Sequence, residues 1–222
     1  MIVLNKFNET KEEMNYKFNN IEIYGEDLET VDIIKCFENY DEKPVCVFGV
    51  LLTEEGKLIK EEMLQWLNKY YNVYIVEQLA PGVLFEFPAI RFLQYICQKD
   101  NLPYALYVHT KGAANPNDSQ VLVRKLWALE FTEFQKEYLN IINSDKPKVA
   151  VPFTGKEKNT WFNGFFINKP ALDFLNLVND DHRYHFEAMF RFIPDVEVVG
   201  RIYNDIHIDS RVKMWLYIKG LF

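Results

Sequence analysis

Along the chain, short apolar runs alternate with longer stretches in which apolar residues recur every three or four positions. Val45 to Leu52 (VCVFGVLL) is a continuous apolar run, as expected of a strand covered on both faces. Leu58, Ile59, Met63, Leu67 and Tyr70 then recur at helical spacing among Lys and Glu, which predicts an amphipathic helix. Val73 to Val76 is a second apolar strand, ending at Glu77-Gln78. Pro81-Gly82 punctuates the next loop, Phe85 to Lys99 reads as a helix, and Tyr104 to Val108 is a third strand. This β-α-β-α-β order implies a parallel sheet with right-handed crossovers.

The rest of the pattern is less regular. Ser119 is a plausible N-cap for a long helix whose apolar positions include Val121, Leu122, Leu126, Leu129 and Tyr138. Lys148 to Phe153 reads as a fourth strand, followed by a polar loop and the aromatic stretch Trp161 to Ile167. Pro170 fits the first turn of a helix running to about Val178. His185 to Phe192 reads as helical and Val196 to Tyr203 as a strand. Residues 1–43 are rich in Asn, Glu and Lys, with Ile21 to Tyr24 as a short strand and Leu28 to Tyr40 as a short helix. They are expected to form an N-terminal extension packed on a single α/β domain spanning 44–222.

Composition narrows the partners. The 222 residues are 49% hydrophobic and 16% aromatic, enough for one large core. With 32 acids against 25 bases and no long basic block, nucleic acid is not an expected partner. Three separated cysteines, Cys36, Cys46 and Cys97, fit neither a disulfide scaffold nor a zinc site. The N-terminus turns polar after four residues and no 18-residue apolar span follows, so the protein is expected in the cytoplasm. Peripheral membrane association through a partner stays open.

The chemistry gathers after the third strand. Tyr107-Val108-His109-Thr110-Lys111-Gly112 passes from buried apolar residues to a histidine, a hydroxyl, a cation and a glycine. Open α/β sheets bind ligands beyond the carboxyl ends of their strands, where this segment falls. It resembles the YxHTKG signature of a group of GT-A-like glycosyltransferases associated with polysaccharide biosynthesis. In that group a Trp follows in the next helix and an aromatic-flanked NGxF-like strand comes later, an order matched by Trp127 and by Trp161-Phe162-Asn163-Gly164-Phe165-Phe166. The similarity covers roughly residues 44–195.

The resemblance implies a GT-A-like, mostly parallel sheet flanked by helices, a nucleotide-sugar donor, and a glycan or other hydroxyl acceptor. It also implies roles. Glu77 would hydrogen-bond the base or ribose, Arg91 would face the nucleotide, and His109, Thr110, Lys111 and Gly112 would line the diphosphate. Trp161, Asn163 and Gly164 would line the acceptor or sugar side, and Glu187 would be the general base, with Asp180 and Asp181 behind it. The third strand should also deliver an Asp-x-Asp motif for a divalent cation. This chain has His109-Thr110-Lys111 there and no Asp-x-Asp anywhere. A lysine clamp can neutralise a diphosphate leaving group without metal, so no cofactor is required, although Mn²⁺ or Mg²⁺ remains compatible.

Each position has a plainer reading. Lys111 can be an ordinary surface lysine, and Glu187 a helix-face glutamate paired with Arg183 or Arg191. His109 can be a core histidine satisfied by a carbonyl, and alone it is a weak metal ligand. Asn163-Gly164 can mark a bulge in a core strand, and Trp127 can be core. At the level of function, a glycosyltransferase is the expected reading, and the alternative, supported mainly by the missing Asp-x-Asp, is an inactive GT-A-like binding or scaffolding module. A nucleotidyl- or phosphosugar transferase is a further alternative. The nine glycines form no GxGxxG or P-loop pattern.

Overall fold

The computed structural model describes residues 31–79, 86–111, 113, 117–175, 188–206 and 217–221. They form a single α/β domain with one seven-stranded sheet between two layers of helices. In chain order the elements are β1 (Val31–Lys35), β2 (Val45–Leu52), α1 (Glu54–Tyr70), β3 (Asn72–Leu79), α2 (Phe87–Lys99) and β4 (Tyr104–His109). There follow α3 (Asp118–Glu133), α4 (Gln135–Ile142), β5 (Lys148–Gly155), β6 (Phe165–Asn168), α5 (Lys169–Phe174) and β7 (Glu197–Ile206).

The strands lie in the order β1-β3-β2-β4-β6-β5-β7. β3, β2 and β4 run parallel, as their apolar runs and intervening helices predict. β6 is inserted antiparallel between β4 and β5, and β7 continues parallel to β5. The sheet is therefore mixed, with β1 and β6 reversed. Pleating divides the core in two. Val45, Val47, Tyr74, Val76, Ala105 and Tyr107 face α2 and α5, whereas Cys46, Phe48, Val50, Ile75, Leu106 and Val108 face α1, α3 and α4. Both faces of the central strands are covered, which is why they read as unbroken apolar runs.

Three expectations need correction. The segment read as a helix over Leu28 to Tyr40 contains β1, an antiparallel edge strand on β3. Its β-branched Val31, Ile33 and Ile34 pack on both faces of the sheet, a tertiary pairing that outweighs local propensity. The helix expected to run unbroken through Tyr138 divides at Phe134, and its N-cap is Asn117 rather than Ser119, with the Asn117 side chain accepting from the Gln120 N–H. Finally, Trp161 to Ile167 is not one strand. Trp161–Asn163 is a tight turn with Phe162 and Asn163 both at positive φ, and the strand starts only at Phe165.

The division at Phe134 has a partner on β7. The buried carboxylate of Glu130 accepts two N–H bonds from Arg201 and one O–H from Tyr138 at 2.8 Å. The Arg201 guanidinium also covers the Phe134 ring at 3.8 Å and reaches Glu137 at 3.2 Å. This network ties α3 and α4 to the far edge of the sheet. Among the described residues, no helix is long and apolar enough to cross a membrane.

Candidate functional site

The segment leaving β4 is built as a fixed turn. The Thr110 N–H bonds the Gly49 carbonyl at 2.9 Å, and the Thr110 hydroxyl accepts from the Leu51 N–H at 3.1 Å, extending the contact with β2 past the strand end. The Lys111 N–H donates to the His109 carbonyl at 2.7 Å, and the Ala113 N–H to the Thr110 carbonyl at 3.1 Å. Thr53, the N-cap of α1, donates its hydroxyl to the Ala113 carbonyl at 3.1 Å. From α3, Arg124 Nη1 donates to the Lys111 carbonyl at 2.8 Å. The amides of Thr110, Lys111 and Ala113 are thus used within the fold. Gly112 lies outside the described residues.

Lys111 carries its ammonium 6.0 Å from the centre of the Phe162 ring, on the turn that precedes β6. Phe162 at φ 69 is a bulky residue in the left-handed region, held there by its surroundings. The same turn buries the Asn163 side chain completely. Gly164, next in line, is seated against Trp127: a Cβ there would lie 2.5 Å from Trp127 Cε2 and 2.6 Å from Nε1. The close approach expected of this glycine is therefore to an indole of α3. Trp161 makes the corresponding contact with Gly155, where a Cβ would come within 2.8 Å of Nε1.

His109 sits inside this group. Its ring meets Trp127 edge-on at 5.3 Å, and its Nε2 is 3.6 Å from Glu86 Oε1, at the N-cap of α2. Burial, reinforced by the Lys111 charge, holds its pKa well below the ordinary histidine value, and the nearby Asn163 main chain opposes this without reversing it. The imidazole is neutral, so its contact with Glu86 is not an ion pair. Neighbouring Tyr107 has its phenol pushed far up by burial and then by Glu86. Three buried polar atoms of the cluster, His109 Nδ1, Trp127 Nε1 and Asn163 Nδ2, have no hydrogen-bond partner among the described residues.

The neutral histidine makes stability pH-dependent. With the folded pKa depressed, the unfolded chain binds a proton that the folded chain excludes once pH falls below about 6.5. Stability should therefore decline by up to about 1.4 kcal/mol per pH unit below that point. In urea unfolding between pH 7.5 and 5, His109→Gln should flatten this decline. Identical slopes in wild type and variant would show that His109 is not the group responsible.

The remaining sequence-based candidates are dispersed. Glu77 leaves β3 on the α1 face and pairs with Lys60 at 2.7 Å, whereas His109 leaves β4 beside the start of α2. β2 separates the two strands. Arg91 donates to Gln94 on its own helix, and Gln94 in turn bonds the Leu172 and Leu175 carbonyls at 2.8 and 2.9 Å. The guanidinium is thereby drawn toward α5. Glu187, Asp180 and Asp181 lie outside the described residues. Among the described residues, no three His, Cys, Asp or Glu side chains gather as a metal-binding group.

Arg124 is the site residue that the pattern did not single out. It occupies an unremarkable position in a helical repeat, and its partner in the turn is a backbone carbonyl, which no residue type announces. No known protein family, curated protein or solved structure matches this chain.

Proposed function

We propose that this chain is a GT-A-like glycosyltransferase that moves a sugar from a nucleotide-sugar donor to a glycan or other hydroxyl acceptor. The observation that carries the reading is the turn beyond β4. It stands at a strand carboxyl end, its described amides are engaged internally, and the charge it offers is the Lys111 ammonium. A cation on a main chain held in this way suits a diphosphate leaving group, whose negative charge grows as the sugar–phosphate bond breaks.

In this reading the acceptor oxygen bonds to the anomeric carbon while the bond to the diphosphate oxygen breaks. The nucleoside diphosphate leaves against Lys111. The acceptor proton passes to a base, a role that the sequence resemblance gives to Glu187. A divalent cation on the diphosphate remains compatible with this scheme, and Lys111 would then share the charge with it.

The test is calorimetric titration with nucleoside diphosphates and nucleotide sugars, in EDTA and in Mn²⁺, on wild type and Lys111→Ala. Loss of one charge-assisted contact should weaken binding in EDTA about 10- to 100-fold. Binding that needs Mn²⁺ and ignores Lys111 would end the lysine-clamp account. Absence of binding across the panel would favour a non-catalytic module.

A further inference from the structure

We propose that Arg124, anchored by Glu62, is a positioning residue that fixes the direction in which the Lys111 side chain leaves its turn. Arg124 lies on α3 with its side chain 6% exposed, and its guanidinium serves two partners. Nη1 donates to the Lys111 carbonyl at 2.8 Å, while Nε and Nη2 reach Glu62 Oε2 on α1 at 3.3 and 3.2 Å. An arginine that only filled space could be replaced by an apolar residue at little cost, since burying a charge is expensive even when it is paired. Here the charge holds one specific backbone atom.

That atom matters because of its neighbours. A bonded Lys111 carbonyl, together with the Lys111 N–H bond to His109, restrains the backbone on both sides of the Lys111 Cα. The Cα–Cβ direction is restrained with it. Thr53 holds the Ala113 carbonyl from α1, so the turn is gripped from both helices. Glu62 balances the Arg124 charge. Of these two cations, the Lys111 ammonium is then the one offered to a ligand, in the sense of the transferase reading on which this role rests. Lysine at position 124 would keep the charge but not the planar fork that reaches a carbonyl and a carboxylate together.

Hydrogen exchange tests the positioning without any ligand. In Arg124→Lys the amides of Thr110, Lys111 and Ala113 should exchange about ten-fold faster, while those of β2, β3 and β5 stay unchanged. Glu62→Gln, a half-exposed and conservative change, should give about a three-fold acceleration at the same amides. A nucleoside diphosphate should bind Arg124→Lys about ten-fold more weakly than wild type, with its unphosphorylated nucleoside unaffected. Exchange in the turn that stays at wild-type rates in both variants would overturn the proposal. So would an acceleration spread evenly over the whole sheet, which would make Arg124 a general core residue. Should the turn loosen as expected while wild type binds no nucleoside diphosphate, the positioning role stands and the transferase reading falls.

Discussion

Trp127→Ala is expected to lower the unfolding free energy by about 3–5 kcal/mol, the range for removing a large aromatic from a packed core. Trp127 is fully buried and stands between two parts of the site, with His109 on one side and Gly164 on the other. The contact with Gly164 makes the prediction sharper. A methyl group at 164 would sit 2.5 Å from Trp127 Cε2, so Gly164→Ala should itself cost about 1–3 kcal/mol by overpacking. Once Trp127 is alanine, the room exists and the second substitution should cost little. Urea unfolding of the two single variants and the double variant therefore should not be additive, with a coupling of about 1–3 kcal/mol. Additive losses would mean that the loop at 164 is not seated on the indole.

Glu130→Ala should be comparably damaging, about 3 kcal/mol, although it removes no apolar surface. The carboxylate is 1% exposed and holds Arg201 and the Tyr138 hydroxyl together. Deleting one member of a buried pair leaves the other charge with its desolvation uncompensated. Arg201 keeps Glu137 at 3.2 Å and the Phe134 ring, which places the loss at the low end of the usual range. Replacing both members, as Glu130→Leu with Arg201→Met, should cost less than Glu130→Ala alone, again by urea unfolding. A double variant weaker than the single one would mean that the pair contributes net stability beyond satisfying its own charges.

The sequence was most readable where local pattern and burial agree. Val45 to Leu52 and Tyr104 to His109 are covered on both faces, so composition alone declares them strands. β1 was unreadable by the same means, because Val31 to Lys35 becomes a strand only by pairing with β3. Likewise, nothing in Trp161-Phe162-Asn163 foretells two successive residues at positive φ. That geometry goes with tertiary burial, which seats Phe162 against the core and encloses the Asn163 side chain. Of the candidate site, the His109-Thr110-Lys111 corner was legible from its position after an apolar strand. Its supports were not, since Thr53 and Arg124 act on main-chain carbonyls of distant residues. Glu77 was legible as a strand-end acid, but pleating turned it toward Lys60 and away from the histidine.

The path of β7 bears on how this molecule coexists with its own copies. Between Val151↔Gly200 and Phe153↔Tyr203 the strand carries one residue more than β5 does. At that bulge the Asn204 side chain takes the Gly200 N–H at 2.7 Å, and a Cβ at Gly200 would lie 1.9 Å from the Tyr203 carbonyl oxygen. An outer strand bent in this way, with one of its amides already occupied, offers no straight row of donors and acceptors for a neighbour to add to. Gly200 is thus the residue on which the bend depends, since a side chain there would have to displace the Tyr203 carbonyl and straighten the outermost of the described strands.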